Sequence, residues 1–186
     1  MDLITKCLKH VSRVIVLPCG FREDKHTMSS PQLRFQMCET AVASLNRPEV
    51  SVSDRELRNG PMMSSYRVWK EFQDSNPEDK YQFVIGVDLL PTLIYWDDPE
   101  QTINETEFLV FNRVGYEIPQ EYKTKPNYEY HDDEIIEMSS THVRGTVSSF
   151  DPSSGTSFVD YMSQLNLVPE GVPAIIESQK LYGINI

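Results

Sequence analysis

The sequence predicts an α/β fold: a parallel β-sheet with helices on both faces. Two observations carry this. The strand candidates Val14–Leu17, Tyr81–Gly86 and Phe108–Phe111 are continuous apolar runs rather than two-residue alternations, the mark of strands buried on both faces. Segments with apolar residues at helical spacing lie between them, so that strand and helix alternate along the chain. The chain has 186 residues, which suits a single domain over 1–186. At that size roughly 70% of the unfolded chain's surface can be buried without disulfide staples.

Residues 3–11 carry Leu3, Cys7, Leu8 and Val11 at helical spacing. Val14–Leu17 is the first strand, closed by Pro18 and Gly20, and residues 18–30 form a polar loop. Pro31 suits a first helical turn, with Ser30 as its N-cap, and residues 33–45 supply an apolar face. Val50–Val52 is a short strand and Asn59-Gly60-Pro61 a turn. Tyr66, Val68, Trp69 and Phe72 mark a helix ending near Asp74–Pro77. Tyr81–Gly86 and Phe108–Phe111 follow as strands. Residues 117–133, polar and Tyr-rich, read as an extended loop before a last short strand at Ile135-Ile136. Ser139-Ser140-Thr141 is a cap cluster opening a helix. Residues 148–157 read as a Ser/Gly-rich insertion, and Pro169 to Leu181 as the closing helix.

Composition narrows the function. Seventeen Lys+Arg against 28 Asp+Glu give a formal net charge of −11, which argues against a broad footprint on nucleic acid. An anionic ligand must be held by a local group of cations and backbone N–H donors. No run reaches the ~18 apolar residues of a membrane span; Phe83–Trp96 is interrupted by Asp88 and Pro91. The N-terminus lacks the layout of a signal peptide. Three cysteines without C-x-x-C spacing suit a reduced cytoplasmic or nuclear setting, with no protein metal site and no glycan at Asn104-Glu105-Thr106. A homo-oligomer is compatible with the sequence.

Ligands of parallel sheets lie beyond the carboxyl ends of the strands, so the loops there matter most. Met138-Ser139-Ser140-Thr141-His142-Val143-Arg144 is the most informative. It offers hydroxyls and free backbone N–H groups at a helix start, and an arginine about one turn on, a set suited to a polyphosphate. An ordinary Ser/Thr cap followed by a surface arginine is the plain alternative.

This segment resembles the I-S-S-T-x-I-R signature of the nicotinate/nicotinamide mononucleotide adenylyltransferases, a branch of the nucleotidyltransferase superfamily. Further pieces follow the family's order. Pro18 followed by Lys25 resembles its substrate loop, and Arg34-x-x-Met37 with Ala41-Val42 its R-x-x-M…A-I helix. Asp54-Arg55-Glu56-Leu57 resembles D-x-E-L; Gly86-Val87-Asp88-Leu89 with Trp96 resembles G-x-D-x-L…W; Arg113-Val114-Gly115-Tyr116 resembles R-x-G. Val168-Pro169-Glu170-Gly171-Val172 with Leu181-Tyr182 resembles the closing helix.

The resemblance implies a Rossmann-like sheet and adenylyl transfer from ATP to a pyridine mononucleotide in NAD biosynthesis. It implies that Ser139, Ser140, Thr141 and Arg144 hold ATP phosphates. It also implies that Gly86 admits close backbone approach and that Asp88 accepts from ribose or amide groups. Lys25 would meet a substrate phosphate, Trp96 would stack on the pyridine ring and Arg113 would orient the nucleotide. Without that resemblance Trp96 reads as core, Lys25 as a solvated charge and Asp88 as a helix cap. Mg²⁺ would accompany ATP, held by phosphates and water with few protein ligands.

One family element is absent from the sequence: the first strand followed by G-x-F-D-P-x-H-x-G-H. None of the four histidines, His10, His26, His131 and His142, has that spacing. The expectation is therefore a sheet lacking its first strand, with catalytic residues unassigned. An N-terminally truncated chain is favoured over a catalytically inactive nucleotide-binding relative and over a motif supplied by a partner. Ser149-Phe150-Asp151-Pro152 echoes the motif but lacks its histidines, and is read as coincidence. Met63-Ser64-Ser65 stands where relatives carry S-Y-T, and Asp24 rather than histidine precedes Lys25, so nicotinate and nicotinamide both stay open as substrates.

Overall fold

The computed structural model describes residues 2–20, 29–58, 63–134 and 140–184. In chain order the elements begin with α1 (Asp2–Cys7), β1 (Val14–Val16), α2 (Pro31–Ala43), β2 (Val50–Val52), α3 (Arg55–Arg58) and α4 (Ser65–Ser75). They continue with β3 (Phe83–Gly86), α5 (Pro99–Asn104), β4 (Phe108–Asn112), β5 (Tyr128–Glu134), α6 (Ser140–Ser148), α7 (Phe158–Leu165) and α8 (Val172–Ser178). Short 3₁₀ segments occupy Val87–Tyr95, Pro152–Ser154 and Leu181–Gly183. Every strand pairing among the described residues is parallel, as expected. Among the described residues no helix is long and apolar enough to cross a membrane.

The chain forms two compact units. One combines Val11–Met62 with Glu137–Ile186, the other Asp2–His10 with Met63–Ile136. The strands form a two-stranded sheet in the first unit and a three-stranded sheet, order β3-β4-β5, in the second.

In the first unit β1 runs beside β2 with Val14 opposite Val50 and Val16 opposite Val52. The expectation that this strand is buried on both faces is corrected: Ile15 is 38% exposed. Among the described residues its apolar run has one neighbour strand, β2, and the face that carries Ile15 is the more open. Helix α2 starts as expected, with Pro31 in its first turn and the Ser30 hydroxyl accepting the Leu33 N–H at 3.3 Å. Helices α6, α7 and α8 meet around Val147, Phe158, Met162 and Ile176, against which Met37 and Ala41 of α2 also pack.

Two expectations for the C-terminal region are corrected. The stretch 148–157 is not a bare insertion, because Phe150 is buried against Phe158 and Tyr161. The closing helix is shorter than Pro169–Leu181, and α7 precedes it. Gly171 sets the start of α8. Its φ is +82°, and a Cβ there would come within 2.7 Å of Thr40 Cγ2. Lys180, at φ 49°, turns the chain out of the helix.

In the second unit β4 is the central strand, and Phe108, Leu109, Val110 and Phe111 are each at most 1% exposed. β3 joins it with Phe83 opposite Phe108, and β5 with Tyr128 opposite Phe108. The pairing of β4 with β5 shifts register at Phe111/Asn112. The reading of 117–133 as a loop is corrected, since β5 begins at Tyr128. Its aromatic residues alternate with charged ones, so only one face is apolar. Tyr128 packs on Phe108 and Tyr122, with ring centroids 5.0 and 5.5 Å away. The strand expected at Ile135-Ile136 and the turn at Asn59-Gly60-Pro61 lie outside the described residues. Helix α4 is as expected, capped by the Ser64 hydroxyl. After β3, Leu90 and Leu93 of the 3₁₀ segment are fully buried, which anchors the loop that follows the strand.

Candidate functional site

At the carboxyl end of the three-stranded sheet, the chain leaves β3 at buried Gly86 and β4 at Asn112. Asp88 and Arg113 stand just beyond these exits, and parallel pairing of the strands brings them together. The Arg113 guanidinium donates Nη1–H to Asp88 Oδ2 at 2.8 Å. Their side chains are 34% and 15% exposed, respectively. Asp88 Oδ1 is buried and has no hydrogen-bond partner. A carboxylate oxygen in that state is a strong acceptor awaiting a donor, because a buried unpaired polar atom costs about 1–3 kcal/mol.

Trp96 closes the 3₁₀ segment after β3. Its Nε1–H donates to Thr92 Oγ1 at 3.2 Å, and its half-buried ring packs on the core of this unit. Its neighbour Tyr95 is 82% exposed. Trp96 is the residue the sequence points to, yet the flat face of Tyr95 is the more accessible of the two.

A cavity of about 310 Å³ opens beside the ends of β4 and β5. Val87, Phe111, Asn112, Tyr130, His131 and Lys123 are among the residues lining it. Val87 and Asn112 directly precede Asp88 and Arg113. Lys123, Tyr130 and His131 were missed in the sequence, because they fall in the stretch read as loop. The signal that finds Tyr130 and His131 is the alternation Tyr128, Tyr130 against Glu129, His131; Lys123, before β5, has no such signal.

His131 belongs to a second cluster in this unit. Its ring lies against that of His10, tilted by 32° with centroids 3.6 Å apart, and Phe111 flanks both. His10 Nε2 lies 3.0 Å from Asp133 Oδ2, and Lys9 donates to Asp133 Oδ1 at 2.7 Å. His131 Nε2 lies 3.0 Å from Glu129 Oε1. Lys9 and His10 hold the Asp133 carboxyl down at about 2.

In the first unit Ser140, Thr141 and Arg144 occupy the opening turns of α6, all exposed. Ser140 and Arg144 are four residues apart on one helix face. Ser139 and Lys25 lie outside the described residues. Among the described residues no group of three or more His, Cys, Asp or Glu side chains could hold a metal ion.

No protein-family model matches the chain. Among curated proteins, it is similar to a probable nicotinate-nucleotide adenylyltransferase of Clostridium novyi (strain NT). The identity is 25% over 184 residues, spanning 93% of this chain and 85% of the relative. A probable nicotinate-nucleotide adenylyltransferase of Clostridium botulinum (strain Okra / Type B1) is 26% identical over 149 residues, 74% of this chain and 73% of the relative. Among solved structures, it is similar to Plasmodium falciparum nicotinic acid mononucleotide adenylyltransferase complexed with NaAD. There the TM-score is 0.75 at 19% identity, over 99% of this chain and 90% of that one. The same Plasmodium protein complexed with APC gives 0.72 at 17% identity, with the same coverage. The curated relatives bear out the family resemblance read from the motifs. The structural neighbours bear out the Rossmann-like α/β fold.

Proposed function

We propose that this chain is an adenylyltransferase of NAD biosynthesis that joins ATP to nicotinate mononucleotide. A phosphate oxygen of the mononucleotide bonds to the α-phosphorus of ATP, the bond from that phosphorus to the bridging oxygen breaks, and pyrophosphate leaves. The products are a dinucleotide and pyrophosphate. No covalent enzyme intermediate is needed, so the protein's task is positioning and charge neutralisation.

The observation that carries this reading is the pairing of Asp88 with Arg113 where the chain leaves β3 and β4, with one Asp88 oxygen still open. Ribose hydroxyls or an amide of the nucleotide satisfy that oxygen, and Gly86 lets the ligand approach the backbone. Arg113 both fixes the Asp88 carboxylate and orients the nucleotide. Ser139, Ser140, Thr141 and Arg144 take the triphosphate, Lys25 the acceptor's phosphate, and Trp96 the pyridine ring. Mg²⁺ would accompany ATP, held by phosphate and water with few protein ligands, and would withdraw charge from the phosphates. The acceptor is a small molecule and not nucleic acid, in keeping with the net charge of −11. The three free cysteines suit a reducing cytoplasmic or nuclear compartment.

The test is direct. The purified chain, given ATP, Mg²⁺ and either nicotinate or nicotinamide mononucleotide, is assayed for pyrophosphate and for the dinucleotide by chromatography, with calorimetry for binding. Product from nicotinate mononucleotide is expected. Binding of ATP without any pyrophosphate release assigns a nucleotide-binding role instead, and binding of neither nucleotide ends the reading. Trp96→Ala should weaken the pyridine nucleotide by about tenfold while ATP changes little, the scale of a lost aromatic stack. Equal losses for both ligands remove Trp96 from that role and turn attention to Tyr95.

A further inference from the structure

In the second unit the loop that carries Trp96 is tied to helix α4 by one carboxylate. Asp98, two residues after Trp96, accepts the Ser64 hydroxyl on Oδ2 at 2.6 Å. The same oxygen accepts Arg67 Nε–H at 2.9 Å, with Nη2 3.5 Å from Oδ1. Ser64 is 6% exposed, and as the N-cap of α4 its Oγ also accepts the Arg67 backbone N–H at 3.2 Å. The Asp97 carbonyl accepts the Thr102 hydroxyl at 3.2 Å, and the Trp96 N–H donates to the Leu93 carbonyl at 3.1 Å. The chain is thus held on both sides of the indole.

Two features of Asp98 are unfavourable where they stand. Its backbone is left-handed, at φ 51° and ψ 53°, a region that only glycine enters without cost. It occupies the N-cap position of α5, yet its side chain caps no N–H of that helix. The carboxylate suited to α5 is turned to α4 instead. The Ser64 hydroxyl, and next Arg67, lower its pKa, so it stays ionised in that bond. Neither feature serves α5. What they gain is a fixed path for the chain from Trp96 to Asp98. An aromatic side chain already set in place spares its ligand the cost of ordering it.

We propose that Asp98 is a positioning residue which, with Ser64 and Arg67, sets the Trp96 ring for the flat base of the acceptor mononucleotide. This rests on the reading that Trp96 meets the pyridine ring. Asp98 touches no reacting atom; it acts through the backbone that joins it to Trp96. A plain tie between helices would serve stability alone and would treat both nucleotides alike.

The experiment compares wild type with Asp98→Gly, Asp98→Asn and Arg67→Met, with Trp96→Ala as reference. Calorimetry gives affinities for nicotinate mononucleotide and for ATP, and melting temperature controls for folding. Fluorescence anisotropy decay in a Trp69→Phe background, where Trp96 is the one remaining tryptophan, reads the mobility of its ring. Asp98→Gly keeps the left-handed turn, which glycine adopts freely, and removes the side-chain bonds. It should make Trp96 more mobile and weaken the mononucleotide by about three- to tenfold, the cost of ordering one side chain, with ATP within about twofold. Asp98→Asn tolerates the same turn and keeps an amide oxygen for the Ser64 hydroxyl, so it should recover most of that loss. Arg67→Met should lose less than Asp98→Gly, because Arg67 is 67% exposed. Where the protein turns over, the loss belongs in KM rather than kcat. Unchanged Trp96 mobility or mononucleotide affinity in Asp98→Gly, or equal weakening of both nucleotides, overturns the proposal. If Asp98→Gly does not fold, Arg67→Met is read by the same criteria. A Trp96→Ala chain that binds the mononucleotide as wild type does overturns the functional reading of Trp96 itself, a result distinct from an Asp98→Gly chain whose indole is as rigid as in wild type.

Discussion

Asp88 illustrates how much one side chain's role depends on its neighbours. Arg113 neutralises it from one side, and its second oxygen faces no donor. Asp88→Asn keeps the shape, yet removes the charge that holds Arg113 and places an NH₂ where the proposed function needs an acceptor. Activity should fall by about 10- to 100-fold, the range for a hydrogen bond to a charged group. The melting temperature should move little, and the assay described above reads the loss. Asp133 yields a pH prediction. Its pKa in the folded chain is about 2, below its ordinary value, because Lys9 and then His10 donate to it. The unfolded chain therefore binds that proton first as pH falls. The contribution of Asp133 is full above about pH 4 and is lost between there and pH 2. Acid denaturation of Asp133→Asn should differ from wild type least below pH 2 and most at neutral pH. Gly86, Asp88 and Arg113 could be picked out in the sequence because they stand at the end of an apolar strand or just past one, where ligands of parallel sheets collect. Arg34 and Glu56 were legible only as motif members. Arg34 Nη2 donates to the Cys19 carbonyl and Glu56 Oε2 accepts the Gly20 N–H, pairings across 15 and 36 positions that no local pattern announces.

At the scale of elements, the central strand β4 was plain because both of its faces are buried, whereas β5 was not. An outer strand with one wet face mixes Glu, His and Asp among its aromatics, and in a Tyr-rich stretch that reads as loop. The aromatics do the packing. Tyr128 is 6% exposed, its hydroxyl donates to the Ile103 carbonyl at 3.1 Å, and its ring meets Phe108 and Tyr122. Tyr128→Ala should therefore cost about 3–5 kcal/mol in urea unfolding, by analogy with other large aromatic truncations. Tyr128→Phe should cost about 1 kcal/mol, the hydroxyl's share. A Tyr128→Ala loss below about 1 kcal/mol would mean that β5 is not held by this face. The helices α5 and α7 escaped for a related reason. They have only 6 and 8 residues, too few turns for a helical period to stand out.

The whole molecule sets the field in which any nucleotide arrives. With a net charge of −11 it repels the triphosphate it is proposed to bind, and only local cations oppose that. On the proposed reading these are Arg113 in the second unit and Arg144 in the first. Their reach depends on salt. At 0.01 M the screening length is about 30 Å, so an approaching triphosphate feels the charge of the entire chain; at 0.15 M it is about 8 Å, so it feels mainly the nearest side chains. Association of ATP, followed by stopped-flow with a fluorescent analogue, should therefore speed up as salt rises over that range. Dissociation should change less, because the contacts made after docking are short and partly desolvated. Proteins that steer anions with a positive surface behave in the opposite way and slow steeply with salt. A steep slowing here would show that the cations dominate well beyond their own neighbourhood, and would contradict the picture of a small basic site set in an acidic protein. Replacing Arg144 by Ala should enlarge the low-salt penalty, since it removes local attraction and leaves the global repulsion in place.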